Sequence, residues 1–348
     1  MPPMDDKAPS LPEWKELYTA AVELKKIEPW TWMYDSDIFG VLNPGSGEIG
    51  YCCIMGALGE VFAMALYPGT EGLGSYRKLQ SGRISAEEAA FTQKCLMASF
   101  EDREFIHPRD LQIIKELGLK FRGRNAWVQF RNYEPGYYPW FLTKEDARFL
   151  KVALEQAREV ALMVKFDKAT LGAALKGHHL VRVPRKEEGD RLAWDTAYLK
   201  PRPPAKKPPH KPSTEPLDEL RLQRLGKKPH RPGMIWEIDL FMAPMAISDG
   251  KERPYIPRVS LIVDQHSTFI FGSHVFPPHS DSAEFLSQLY DVFESSDILP
   301  EHLWTSTSEV MELIEPICAK LGIVPKLVKR LRAMEAAKSS LFDHLSRR

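Results

Sequence analysis

Residues 235–275 read IWEIDLFMAPMAISDGKERPYIPRVSLIVDQHSTFIFGSHV, and the elements in and after this stretch decide the fold of the C-terminal part. Ile235–Phe241 is a strand candidate, and Val259–Val263 is a short, continuous apolar run of β-branched type. Thr268–Val275 alternates less cleanly but is rich in Phe and Ile, which favours a third strand. Downstream, Ser280 or Asp281 caps a helix carrying Phe285, Leu286, Leu289, Tyr290 and Phe293. Leu303–Thr305 makes a brief strand. Val310, Leu313, Ile314, Ile317 and Leu321 then recur at helical spacing, with Gly322 at the C′ position. Val324–Val328 and Leu331–Leu345 supply a last strand and a last helix. The string is β-β-β-α-β-α-β-α, an α/β arrangement in which a three-strand meander precedes alternating helix and strand.

Upstream lies a break in composition. Between Lys200 and Pro232 there are ten basic residues, three acids and nine prolines. Prolines lack an N–H and like charges repel, so this stretch cannot nucleate a core and reads as a semi-extended basic linker. Within it, LDELRLQRLGKK has the pattern of one or two exposed helical turns. The expected division is an α+β domain over 1–199, the linker over 200–232 and the α/β domain over 233–348. In the first domain, Trp14, Leu17, Tyr18, Ala21 and Val22 mark a helix closed by Pro29. Strand-like runs follow at Ile38–Leu42, Ile49–Met55 and Val61–Tyr67, the first two separated by NPGSG. Helix signals come from the Ser85/Glu88 capping pattern, from Pro108 with Gly118, and from Thr143 ahead of a run through Val164; Trp127–Phe130 is a further strand.

The 348 residues carry 47 Lys+Arg and 47 Asp+Glu, so no net field draws the chain to nucleic acid or an anionic membrane. No stretch of 18 apolar residues occurs, and MPPMDDKAPS places acid where a secretory signal needs base. Cys52, Cys53, Cys95 and Cys318 form no CxxC pair, which argues against a zinc module and fits a reducing cytosol. The expected location is the cytoplasm, with no membrane partner.

Two stretches carry resemblances. WTWMYDSDIFGVLNPGSGEIGYCCIMGALGEVFAMALY resembles the opening domain of an uncharacterised bacterial family whose domain has no known function. Trp236 through Pro278, centred on RPYIPRVSLIVDQHS, is similar to a second domain of that kind that accompanies it. More remotely, the element order and the segments WEID, LIVDQHSTFIFG, LWTSTS, AKLGI and AMEAAKSSL resemble the ribonuclease-H-like core of integrases and DDE transposases. That resemblance implies three carboxylates converging on two divalent metals, with Asp239 in the first position and Glu335 in the third. The second position holds Thr305, Ser306, Thr307 and Ser308, and hydroxyls are weak ligands for a hard cation. Glu309 completes an S-x-x-E capping box with Ser306, so Ser306 is expected to cap the helix and hold no metal.

Each candidate has a competing structural explanation. A buried Asp239 needs a partner or a metal, whereas alternation onto a solvated face or a nearby Lys or Arg explains it without a site. Asp264 begins DQHST, where an Asp accepts N–H bonds in a turn. Glu335 sits among helix formers and suits a solvated helix face. His266, His274 and His279, with Asp264, could ligate zinc but match no zinc spacing, and His178 and His179 suit a loop or the surface. Asp35 and Asp37 form either a cation site or a turn or strand-edge charge. Cys52 and Cys53 on one strand point to opposite faces, so at most one is expected to be buried. Trp127, Tyr133, Tyr137, Tyr138, Trp140 and Phe141, interleaved with Arg122, Arg124 and Arg131, form either a single-strand nucleic-acid surface or a core edge with a basic rim.

Charge restricts a nucleic-acid role further. Residues 233–319 hold three basic residues against fourteen acids, while 320–348 hold eight against two. Phosphate contact therefore falls to the last helix and to the linker, where Lys206, Lys207, Lys227, Lys228 and Arg231 are the candidates. The expectation is a non-enzymatic binding protein without cofactor, whose partner is a protein or a nucleic acid. The alternative is a divergent metal-dependent nuclease or transposase-like enzyme using Asp239, Glu335 and a third acid with Mg²⁺ or Mn²⁺.

Overall fold

The computed structural model describes residues 8–82, 91–172, 177–186, 192–203, 218–243, 245–248, 252–278, 280 and 282–346. The chain divides into two compact units at Ala205/Lys206. The Ser85/Glu88 pattern, Lys206, Lys207, His279 and Asp281 lie outside the described residues. No described helix is long and apolar enough to cross a membrane.

In the first unit, α1 (Leu11–Lys26) precedes strands β1 (Phe39–Leu42), β2 (Ile49–Met55) and β3 (Ala63–Pro68). Helix α2 (Gly69–Gln80), β4 (Cys95–Glu101), α3 (Pro108–Glu116) and β5 (Trp127–Tyr133) follow. Then come α4 (Lys144–Phe166), the short α5 (Ala169–Gly172), β6 (His179–Lys186) and β7 (Leu192–Leu199). The described strands form one mixed sheet in the order β5-β4-β3-β2-β1-β6-β7. Its first five strands are an antiparallel meander, and β6 joins β1 in parallel.

Helix α4 starts at a capping box, with the Thr143 and Asp146 side chains each accepting from the other's backbone N–H. Its stripe of Leu150, Ala153, Leu154, Ala157, Val160, Ala161 and Val164 is buried together with Leu17, Ala21 and Leu24 of α1. The opposite sheet face is also covered: Tyr51, Cys53, Ala65, Tyr67 and Cys95 pack with Leu73 and Tyr76 of α2. This corrects the expectation for the cysteines. Both Cys52 and Cys53 are buried, because a sheet covered on two faces has no solvated side for the second thiol. His179 is not in a loop either; it opens β6, half-buried, with its ring edge-on to Tyr51 at 5.7 Å.

The second unit runs α6 (Glu219–Leu225), β8 (His230–Met242), β9 (Arg258–Asp264), β10 (Ile270–Phe276) and α7 (Ser282–Ser295). It continues with β11 (Leu299–Thr305), α8 (Ser308–Leu321), β12 (Val324–Leu327) and α9 (Arg332–Ser346). Its sheet order is β10-β9-β8-β11-β12. The β8–β9 and β9–β10 pairs are antiparallel, and β8–β11 and β11–β12 are parallel. Both units are therefore mixed α and β, each on a mixed sheet.

Trp236, Ile238 and Ile262 face one side, in a core with Phe285, Leu289 and Phe293 of α7 and Ile314 and Ile317 of α8. Leu261 and Val263 face the other, against Met334 and Ala337 of α9. The linker is shorter than the composition implied. Leu222 and Leu225 of α6 are buried in the second core, and β8 already begins at His230. A charged exterior hid an apolar pair one turn apart.

Candidate functional site

Strand β8 alternates, so Glu237 and Asp239 share the face opposite Trp236 and Ile238. A one-faced sheet would turn them to water, but α9 covers that face and both carboxylates are buried, at 1% and 5% exposure. Helix α9 also supplies what burial demands. Glu237 Oε2 accepts from the Met334 backbone N–H at 2.8 Å, satisfying a donor in the first turn of α9. Asp239 Oδ2 receives the Lys338 ammonium at 3.3 Å and the Ser306 hydroxyl at 3.0 Å. Lys338 Nζ further sits 3.8 Å from the centre of the Phe241 ring, a cation–π contact that holds the ammonium over the strand. Glu237 Oε1, Asp239 Oδ1 and Trp304 Nε1 are buried without a hydrogen-bond partner among the described residues.

The other acids that the sequence singled out go elsewhere. Glu335 is half-exposed and paired with Arg330 at 2.7 Å, and this guanidinium holds its carboxyl below the usual range. Glu309 pairs with Arg258 at 2.7 Å. Asp264 Oδ1 accepts from the backbone N–H groups of His266 and Ser267 and from the Ser267 hydroxyl, the turn chemistry expected of it. Burial opposes ionisation of Asp264, but the Ser267 and His266 bonds outweigh it and lower its pKa. Among the described residues, no three His, Cys, Asp or Glu side chains group as metal ligands. Around Asp239 Oδ2 stand one hydroxyl and one ammonium.

Ser306 does something other than expected. The N-cap of α8 is Thr307, whose hydroxyl accepts from the Val310 N–H, and Ser306 lies one residue too early to reach that turn. Its hydroxyl instead serves Asp239. Sequence reasoning missed Glu237 and Lys338. The signal was present: Lys338 falls one turn beyond Met334, on the stripe that continues to Leu341, so its side chain had to meet the sheet.

The basic candidates divide. Lys228 is taken up by structure, donating to the carbonyls of Phe293, Glu294 and Ser296 at the C-terminal end of α7. Lys227 and Arg231 are exposed. In the first unit, Arg131 forms a buried two-point pair with Asp110 (2.6 and 3.3 Å) and lies 4.8 Å from the Phe141 ring. Arg109 lies 4.3 Å from the same ring, and Trp127 packs on Phe121. Of the six aromatic candidates Tyr138 is exposed and the other five are partly buried, with Trp127 and Tyr133 packed against core clusters. Asp37 accepts the Tyr34 N–H, again turn formation. A groove of 660 Å³ between α1 and α4 is lined by Lys15, Lys151 and Arg158 against Glu16, Glu23, Glu155 and Glu159, a mixed charge that selects no ion.

Residues 14–182 match the family model described as Domain of unknown function (DUF7309), and residues 221–342 match Domain of unknown function (DUF6930). The two expected domains of unknown function are thus present, the second starting inside α6. No curated protein matches the chain. Among solved structures, it is similar to a chain of the "CryoEM structure of simian T-cell lymphotropic virus intasome in complex with PP2A regulatory subunit B56 gamma". The identity is 19% and the TM-score 0.24, and the likeness covers 32% of this chain and 41% of that one.

Proposed function

We propose that the second unit is a ribonuclease-H-like domain without catalytic activity, and that the chain works in the cytosol by binding a partner. Two observations support the fold reading: the β-β-β-α-β-α-β-α order, and the strand order β10-β9-β8-β11-β12 with its parallel half. The cytosolic placement rests on four unpaired cysteines, all buried.

One observation carries the non-catalytic reading: the charge opposite Asp239 is Lys338. Two-metal phosphoryl chemistry needs several anions around cations about 4 Å apart. Here Asp239 is paired with Lys338, Glu237 on the same face is engaged by the Met334 N–H, and the neighbouring hydroxyl of Ser306 adds no charge. The ammonium opposes a divalent ion at Asp239 Oδ2, and among the described residues no third acidic side chain joins Asp239 and Glu237 to complete a cage. Lys338 acts as a permanent counter-ion that fixes α9 to β8.

The test is incubation of the full chain with single- and double-stranded DNA in Mn²⁺. The expected result is no cleavage above a chelator control. Metal-dependent cleavage that disappears in Asp239→Ala overturns the reading and restores the nuclease alternative. For the partner, Lys227 and Arg231 are the two of the five candidate linker cations that are both described and exposed. Steeply salt-dependent DNA binding that weakens when both are changed to Ala assigns a nucleic acid, and salt-insensitive or absent binding leaves a protein partner.

A further inference from the structure

Tyr51 of β2 is a polar side chain that the fold buries and leaves unused. It is 2% exposed, in the cluster that α2 covers with Leu73 and Tyr76, and its hydroxyl has no hydrogen-bond partner among the described residues. Burying a hydroxyl without a partner is costly, so its surroundings matter. Gly40 of β1 pairs with Tyr51 on one side and with Val181 of β6 on the other, and His179, two residues before Val181, shares that face. The Tyr51 and His179 rings meet edge-on at 5.7 Å. Arg77 leaves α2 one turn after the buried Leu73, and its charge acts on both rings. It is exposed and makes no ion pair among the described residues. Burial, with the Arg77 and His178 charges behind it, holds the His179 pKa below its ordinary value. The acids ahead of β1 are turned elsewhere: Asp35 Oδ2 accepts from Gln80 at 3.3 Å, and Asp37 Oδ2 accepts the Tyr34 N–H at 2.8 Å.

We infer that Arg77, His179 and Tyr51 form a binding site for the phosphate group of a small molecule. Three donors from three separate elements stand together here, one of them a permanent cation and one an imidazole that becomes cationic on taking a proton. The guanidinium fork serves two oxygens, and the imidazole N–H and phenol O–H remain for others. That count suits the several acceptors of a tetrahedral dianion better than the two oxygens of a carboxylate. A cationic ligand would be repelled by the unpaired guanidinium. The inference is independent of the non-catalytic reading, since it uses no residue of the second unit.

Titration of sodium phosphate into the full chain at constant ionic strength tests it, followed through the His179 imidazole resonances, which His179→Gln assigns. Saturable shifts are expected, with affinity weakened about tenfold or more in Arg77→Gln and several-fold in Tyr51→Phe, which keeps the buried ring. Lys78→Gln, at the neighbouring exposed position of α2, is expected to bind as wild type does. Resonances that stay fixed throughout, or an affinity unchanged by Arg77→Gln, overturn the inference. An equal response to acetate overturns the choice of phosphate. Should Arg77→Gln lose the native circular dichroism, Arg77→Lys decides, because it keeps the charge without the fork. Weakened binding in that variant supports the site, and wild-type affinity contradicts it.

Discussion

Lys338 Nζ lies 3.3 Å from Asp239 Oδ2, so the cation that answers the buried carboxylate of β8 is built into the closing helix. The side chains are 24% and 7% exposed, which puts the pair on the buried side of the ion-pair scale. Such a pair adds little over an apolar replacement, yet breaking it by removing one partner strands a charge. Lys338→Met is expected to destabilise the second unit by about 3–5 kcal/mol. Combining it with Asp239→Asn is expected to recover much of that loss, because no carboxylate is then left unpaired. Urea unfolding of the four chains measures the coupling, and strictly additive losses contradict it.

Glu237 gives a second test of how α9 is anchored. Its Oε2 meets the Met334 N–H, a donor that the helix itself leaves unpaired. Glu237→Ala buries that donor without an acceptor and is expected to cost about 1–3 kcal/mol, with Glu237→Gln costing less because an amide oxygen still accepts. Faster exchange of the Met334 amide in Glu237→Ala, against wild-type-like exchange in Glu237→Gln, reports the same contact locally.

The order of elements in the second unit was legible in the sequence because strand and helix periods alternate cleanly from Ile235 to Leu345. What lay beyond its reach was the second layer. Whether Asp239 and Cys53 face water depends on α9 and α2 covering the far sides of their sheets, which no property of β8 or β2 alone encodes. Strands β6 and β7 were missed because their hairpin is held through the pairing of β6 with β1, a partner more than a hundred residues earlier. Glu335 was a candidate by position on the last helix, but one turn of helix separates it from Lys338, and the turn that faces β8 carries the lysine.

The thiols are expected to be inert in the folded chain. Burial pushes Cys53 and Cys318 up to about 12 and raises Cys52 and Cys95 further, so thiolate is scarce at neutral pH. A chromogenic disulfide reagent should label no cysteine in native buffer and all four in denaturant. Rapid native labelling of any one contradicts the burial described.

Asp264 sets an acid limit. Its folded pKa lies below the ordinary value of 3.8, so its stabilising contribution is complete above that value and is lost as pH falls through the folded one. Asp264→Asn keeps an acceptor for the turn and removes the titration. Its stability is therefore expected to fall less steeply than wild type below pH about 4. Parallel acid-unfolding curves for the two chains contradict the assignment.

We propose that Lys338 takes the place that a metal-dependent enzyme of this fold would give its cations. Calorimetric titration of Mn²⁺ into the full chain, wild type beside Asp239→Asn, tests it most directly. Identical traces, with no saturable heat assignable to Asp239, are expected. Stoichiometric binding in the wild type that vanishes in Asp239→Asn would contradict it.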